Sequence, residues 1–134
     1  MCSQTECNAP LALIVDDDTT VRIVMRSVLE SHGIRVNDAE DGEKALQSFE
    51  KETPDIIVLD IEMPVKDGLQ TCAEIRRHPK GQLIPILLST GHDDTGTLSK
   101  GYDAGATDFV IKPLNWSIFG HRIRYMLQAA QAIR

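Results

Sequence analysis

The sequence predicts an α/β fold, with a doubly wound, five-stranded parallel sheet and helices on both faces. Five short apolar runs recur along the chain, and each is nearly continuous in Val, Ile and Leu. Such runs are typical of strands that are covered on both faces. Stretches with helical spacing separate them, and strands that alternate with helices form a parallel sheet. The predicted strands span residues 11–15, 34–36, 56–59, 84–88 and 109–111.

Five helices are predicted between and after these strands. Gly33 stands where the first helix should end, because glycine accepts the backbone conformation that terminates helices. Asp41 and Asn115 are the predicted N-caps of the second and last helices. The fourth helix, at about 93–104, contains two glycines and several Ser and Thr residues. Because these residues lower helix propensity, we expect this helix to be short or mobile.

The length and composition fit one domain. The chain has 134 residues, of which 42% are hydrophobic and 25% charged. We expect residues 1–10 to form a flexible tail, and residues 11–134 to form the domain, with a last helix that continues into a linker. The net charge of -6 argues against direct nucleic-acid binding by this domain.

Location and redox state follow from two further features. The apolar run at 11–15 is too short to span a membrane, and no signal peptide precedes it. We therefore expect a cytoplasmic protein that does not bind membranes. Cys2, Cys7 and Cys72 form no C-x-x-C pair, so neither a disulfide framework nor a zinc site is indicated.

Polar residues follow four of the five strands. Because the carboxyl ends of parallel strands lie at one edge of the sheet, we expect these side chains to converge. They are Asp16, Asp17 and Asp18 after the first strand, Asp60 after the third, Ser89 and Thr90 after the fourth, and Lys112 after the fifth.

This set of residues suits phosphoryl chemistry. Crowded carboxylates repel one another, and a hard cation such as Mg²⁺ relieves the repulsion. An ionised carboxylate can attack phosphorus directly and form an aspartyl-phosphate. A lysine and a hydroxyl can then hold the phosphoryl oxygens.

The four segments that carry these residues resemble the signature blocks of response-regulator receiver domains. The segments are 13–18, 58–68, 88–91 and 109–113, and the resemblance covers about residues 10–132. It implies a flavodoxin-like receiver fold with strand order 2-1-3-4-5 and five helices. It also implies a signalling domain of a two-component system that catalyses its own phosphorylation and dephosphorylation.

The resemblance implies a role for each site residue. Asp60 would be the phosphoacceptor, and Asp17 and Asp60 would bind Mg²⁺ directly. Asp16 would act on the metal mainly through water, and the backbone carbonyl of Glu62 would be a further ligand. Thr90 would contact the phosphoryl group.

Four further roles follow from the same resemblance. Lys112 would contact the phosphoryl group and form a cis peptide bond with Pro113. Phe109 would be the switch aromatic that turns inward as Thr90 moves. Glu62 and His92 would adjust the lifetime of the phosphate, and we expect both at the mouth of the site, where they affect access of the attacking water.

The implied partners are a sensor histidine kinase or phosphotransfer protein and an output domain. Phosphorylation would switch the surface formed by the fourth helix, fifth strand and fifth helix. The segments 112–116 and 120–127 are similar to receivers fused to cyclic di-GMP domains, so the output domain could be a diguanylate cyclase or phosphodiesterase. A single-domain regulator, a DNA-binding output and a homodimer stay open.

Two other functions compete with this interpretation. Asp16, Asp18 and Thr20 fit the D-x-D-x-T pattern of haloacid-dehalogenase-like phosphatases, but that pattern leaves Asp60 and Gly68 unexplained. A receiver-like binding module without phosphate turnover would not need the full set of site residues. Dinucleotide binding is disfavoured because no glycine-rich turn follows the first strand.

Overall fold

The computed structural model describes residues 9–91 and 95–133. Strands and helices alternate throughout, and a short 3₁₀ turn, Pro79–Gly81, follows the third helix. In chain order the elements are β1 (Leu11–Val15), α1 (Thr19–Ser31), β2 (Arg35–Ala39), α2 (Gly42–Lys51), β3 (Ile56–Asp60), α3 (Gly68–Arg77), β4 (Ile86–Thr90), α4 (Thr95–Asp103), β5 (Asp108–Ile111) and α5 (Trp116–Ile133).

The five strands form one sheet in the order β2-β1-β3-β4-β5, and every neighbouring pair is parallel. This confirms the predicted fold class and strand order. The order reverses direction between β1 and β3, which is where an open α/β sheet binds its ligands. No helix in the described part of the chain is both long and apolar enough to cross a membrane.

Alternating strand residues bury two separate apolar layers, because successive side chains of a strand point to opposite faces of the sheet. Leu13, Ile57 and Leu88 pack on the face covered by α2, α3 and α4. Ile14 and Val58 pack on the face covered by α1 and α5. With both faces covered, the central strands have fixed positions, and so do the residues at their ends.

Aspartates begin three of the helices. Asp18 accepts hydrogen bonds from the backbone N–H groups of Thr20 and Val21 at the start of α1. Asp41 caps α2 as predicted, and Asp67 forms a capping box with α3. These local contacts place the first turn of each helix directly after a loop at the carboxyl edge of the sheet.

Several boundaries differ from the prediction. β2 extends to Ala39, because an edge strand alternates exposed and buried residues and so lacks a continuous apolar run. β4 begins at Ile86, after Pro85, which has no N–H to donate. β3 and β4 also reach Asp60 and Thr90, so both residues lie within strands.

The helix predicted at 93–104 is short, with nine residues. Its predicted start lies outside the described part of the chain, as does most of the predicted tail.

The mostly basic run at 76–80 suggests a solvated helix end, and for Arg76 this interpretation is wrong. Its guanidinium donates to the carbonyl oxygens of Gly81, Ile84 and Gly105 at 2.8, 2.6 and 2.8 Å. It thereby joins α3 to the turns before β4 and before β5. A local run of basic residues does not show this, because the acceptors lie up to 29 residues away in sequence.

Replacing Arg76 with Met keeps the apolar stem but leaves three carbonyl oxygens without their charged donor. We expect the free energy of unfolding to fall by about 3 kcal/mol, measured by urea denaturation. Arg77→Met is the matched control, because Arg77 is exposed on the same helix, and it should change stability by less than about 0.5 kcal/mol. Equal effects of the two changes would contradict the role of Arg76.

Candidate functional site

Three carboxylates converge at the carboxyl edge of the sheet. Asp16 directly follows β1, and Asp60 is the last residue of β3. Both are buried, with exposed fractions of 0% and 1%, whereas Asp17 is exposed. One carboxylate oxygen from each of the three lies within 4.8 Å of the others. The structure therefore brings together the acidic residues predicted from the sequence.

The loop after β1 is held by contacts that fix Asp16. Its backbone N–H donates to Ala39, and its Oδ1 atom accepts from the Asp18 N–H at 2.9 Å. Arg22 donates to the Asp16 carbonyl at 2.7 Å and lies 3.4 Å from Asp38. Arg22 was not predicted as part of the site, although a basic residue one turn into the helix after three acids could have indicated it.

Lys112 lies between the two buried carboxylates. Its Nζ atom is 3.1 Å from Asp60 Oδ1 and 3.4 Å from Asp16 Oδ2. Burial disfavours the charged ammonium, but the carboxylates of Asp60 and Asp16 outweigh this and raise the pKa of Lys112. The lysine therefore stays protonated and supplies a fixed positive charge to the site.

Asp60 is less acidic than an ordinary aspartate. Burial and the neighbouring Asp16 carboxylate raise the pKa of Asp60 from 3.8 to about 6, although Lys112 opposes the shift. Its ionised form therefore predominates at neutral pH. The same burial excludes water, so a group that compensates the negative charge interacts with Asp60 strongly.

The carboxylates suit a Mg²⁺ ion. Asp16 Oδ2 is buried, and no described group donates a well-directed hydrogen bond to it. A buried carboxylate oxygen that accepts no well-directed hydrogen bond favours a cation. Mg²⁺ suits this position because it accepts oxygen ligands from a few carboxylates. Asp16, Asp17 and Asp60 would hold it. The backbone carbonyl of Glu62 stays a predicted ligand.

Thr90 and Glu62 are joined across the mouth of the site. Thr90 is the last residue of β4 and fully buried, and its Oγ1 atom donates to Glu62 Oε1 at 2.9 Å. The backbone N–H of Glu62 lies 3.3 Å from Asp60 Oδ1. The sequence placed both residues near the acceptor but did not show this hydrogen bond.

Gly68 lets the loop after β3 close over Asp60. A Cβ atom on this residue would lie 2.3 Å from the Asp60 carbonyl oxygen, so only glycine fits here. The Gly68 N–H donates to the Ile61 carbonyl at 3.0 Å. The start of α3 is thus packed directly against the end of β3.

Three further predictions concern the Lys112–Pro113 peptide bond, Phe109 and His92. The Lys112–Pro113 peptide bond is cis, as predicted. Phe109 is buried, and its ring packs edge-on against Tyr102 with centroids 5.0 Å apart. His92 lies outside the described residues.

The phosphatase-like alternative would use Asp18, the second aspartate of its pattern, as the general acid, and this geometry disfavours it. That pattern requires the side chain of Asp18 to act on a substrate, but Asp18 Oδ1 accepts the N–H groups of Thr20 and Val21 as a helix cap. Lys112 also contacts Asp60, a residue that the alternative leaves without a role.

Residues 12–124 match the family described as the response regulator receiver domain, and the chain belongs to this family. It is 39% identical over 87% of its length to response regulator MprA of Mycolicibacterium vanbaalenii. It is 34% identical over 91% of its length to transcriptional regulatory protein AfsQ1 of Streptomyces coelicolor. The chain spans about half of these relatives, 49% of the former and 53% of the latter.

Solved structures agree with this family. Chemotaxis protein CheY4 of Vibrio cholerae has a TM-score of 0.84 and 28% identity, with 88% of this chain and 98% of that chain covered. The receiver domain of sensor histidine kinase PA1611 from Pseudomonas aeruginosa has a TM-score of 0.82 and 28% identity, with coverages of 90% and 98%. That structure has a magnesium ion coordinated in its active-site cleft. Receiver domains of this kind interact with histidine kinases and accept phosphoryl groups.

The raised pKa of Asp60 predicts a pH dependence of stability in the absence of metal. Between pH 3.8 and about 6 the folded state keeps a proton that the unfolded state has lost, so the wild type loses stability as the pH rises. Asp60→Asn has no such charge. We expect it to be about 2 kcal/mol more stable than the wild type at pH 7.5, and to gain little at pH 4.

Urea denaturation with EDTA at several pH values measures this difference. Added magnesium should shrink the difference at pH 7.5, because a bound cation stabilises the wild-type carboxylates. If the stability difference between Asp60→Asn and the wild type does not vary with pH, folding does not raise the pKa of Asp60.

Proposed function

We propose that this chain accepts a phosphoryl group on Asp60 in a magnesium-dependent reaction. The observation that carries the proposal is the Lys112 ammonium, which lies within 3.4 Å of both buried carboxylates, Asp16 and Asp60. A protonated lysine beside an ionised carboxylate places the nucleophile and a phosphoryl-binding cation in one site.

In this mechanism an oxygen of Asp60 attacks the phosphorus atom. The new bond joins that oxygen to phosphorus, while the bond from phosphorus to the donor breaks and its electron pair leaves with the donor. No general base is required, because Asp60 is ionised at neutral pH. Lys112 pairs with one phosphoryl oxygen, and Thr90 donates to another.

Mg²⁺, when bound, neutralises charge on the phosphoryl oxygens. Asp17 and Asp60 are its proposed direct ligands, together with the backbone carbonyl of Glu62, and Asp16 acts mainly through water. The exposed position of Asp17 supports entry of a hydrated ion from solvent. In this proposal the domain is a signalling switch that catalyses its own phosphorylation and dephosphorylation.

Intact-protein mass after incubation with acetyl phosphate tests the acceptor. We expect the wild type to gain one phosphoryl group with magnesium and none with EDTA. Asp60→Asn should gain none, because it lacks the nucleophile. Asp16→Asn is the matched control, and it should keep a weakened reaction, because its Asp60 nucleophile is intact.

An adduct that Asp16→Asn loses and Asp60→Asn keeps would point to the phosphatase-like alternative. The absence of any adduct would favour a binding module without phosphate turnover, once titration with beryllofluoride has excluded a short-lived phosphate.

We also propose that Glu62 and His92 adjust the lifetime of the phosphate. Support comes from Glu62, whose exposed carboxylate lies at the mouth of the site and contacts Thr90. Glu62→Ala and His92→Ala should each change the rate of dephosphorylation, followed by the decay of the mass adduct. Unchanged rates in both variants would contradict this role.

The proposed output of the switch is the surface of α4, β5 and α5. Movement of Thr90 and Lys112 toward the phosphate would shift the loop before α4, and Phe109 would follow. The buried ring of Phe109 supports this coupling, because a Cβ atom on Gly101 of α4 would lie 2.1 Å from it. Backbone NMR shifts on this surface that stay unaltered after phosphorylation would contradict it.

The proposed phosphodonor is a sensor histidine kinase or a phosphotransfer protein. The output domain is open to two proposals. One is a diguanylate cyclase or phosphodiesterase, from the segments 112–116 and 120–127. The other is a transcriptional output, because AfsQ1 is a transcriptional regulatory protein. Cytoplasmic location, homodimerisation and the continuation of α5 into a linker stay predictions.

A further inference from the structure

The hydroxyl group of Thr90 has a partner in the structure that competes with its expected ligand. Thr90 Oγ1 donates to Glu62 Oε1 at 2.9 Å. A threonine hydroxyl has one proton, and an ionised carboxylate can only accept. Thr90 therefore cannot donate to Glu62 and to a phosphoryl oxygen on Asp60 at the same time.

The geometry makes Glu62 the group that must move. Asp60 and Thr90 lie at the ends of adjacent strands and are 1% and 0% exposed, so the sheet fixes their backbones, and only the Thr90 side chain can turn toward a phosphoryl group. The Glu62 side chain is exposed, while its backbone N–H lies 3.3 Å from Asp60 Oδ1. Glu62 thus contacts both the acceptor carboxylate and the switch hydroxyl, and its side chain can leave without disturbing the core.

We propose that the Glu62–Thr90 hydrogen bond stabilises the unphosphorylated arrangement and that a phosphoryl group on Asp60 replaces it. This inference rests on the proposed function. A phosphoryl group adds negative charge beside Asp60 and repels the Glu62 carboxylate. Its oxygens are strong acceptors, so the Thr90 hydroxyl exchanges one charge-assisted hydrogen bond, to Glu62, for another, to a phosphoryl oxygen. Glu62 is therefore a positioning residue that sets how readily the domain switches.

Affinity for beryllofluoride, a phosphoryl mimic, tests the proposal in the presence of magnesium. Glu62→Ala removes the competing acceptor, so we expect about tenfold tighter binding than in the wild type. Part of this gain comes from lost negative charge. Glu40→Ala is the control for charge, because Glu40 is exposed at the same edge of the sheet and its partner is Lys44, and it should change affinity less than about twofold.

A double-mutant cycle with Thr90 separates competition from charge. In a Thr90→Val background there is no proton to compete for, so Glu62→Ala should tighten binding about fivefold less than it does beside Thr90. In a Thr90→Ser background, which keeps the hydroxyl, the full gain should return. Without the mimic, NMR shifts of Phe109 in Glu62→Ala should move toward their mimic-bound values.

Equal gains from Glu62→Ala in the Thr90, Ser and Val backgrounds would show that Glu62 acts through charge alone, and would overturn the inference while leaving the proposed function intact. A wild type that neither binds the mimic nor forms an adduct with acetyl phosphate would overturn the proposed function, and this inference with it.

Discussion

Two carboxylates buried side by side, with one ammonium group between them, are the constraint on which this site depends. Asp16 and Asp60 cannot be moved apart, because each is attached to the end of a central strand whose two faces are covered. Burial and the repulsion between the two carboxylates raise the pKa of Asp60, and Lys112, which follows β5, opposes part of this shift. The negative charge that remains on the two carboxylates therefore favours the binding of cations at this site.

This arrangement costs stability, and other parts of the fold offset the cost. Two apolar layers hold the central strands, and aspartate caps begin the helices that surround the site. Arg76 connects α3 to the turns before β4 and β5 on the opposite edge of the sheet. The carboxyl edge can therefore store electrostatic strain, since the rest of the domain keeps its geometry.

Much of the fold and the site could be predicted from local patterns. Continuous apolar runs identified the central strands, and polar residues after them identified Asp16, Asp60, Thr90 and Lys112, because strand ends share an edge. Patterns failed where the partner is distant in sequence. Arg76 looked like a solvated helix end, although its acceptors include a carbonyl 29 residues away.

The chemical identity of the site is a property of local sequence, since strand ends, caps and charged residues follow from short segments. Which of these side chains contact one another is decided by the tertiary structure. Lys112 contacts both carboxylates, and Thr90 donates to Glu62, because of the registers of β1, β3, β4 and β5. Hydrogen bonds need atoms placed to within a few tenths of an ångström, and only the packed sheet positions residues that are 28 apart in sequence so closely.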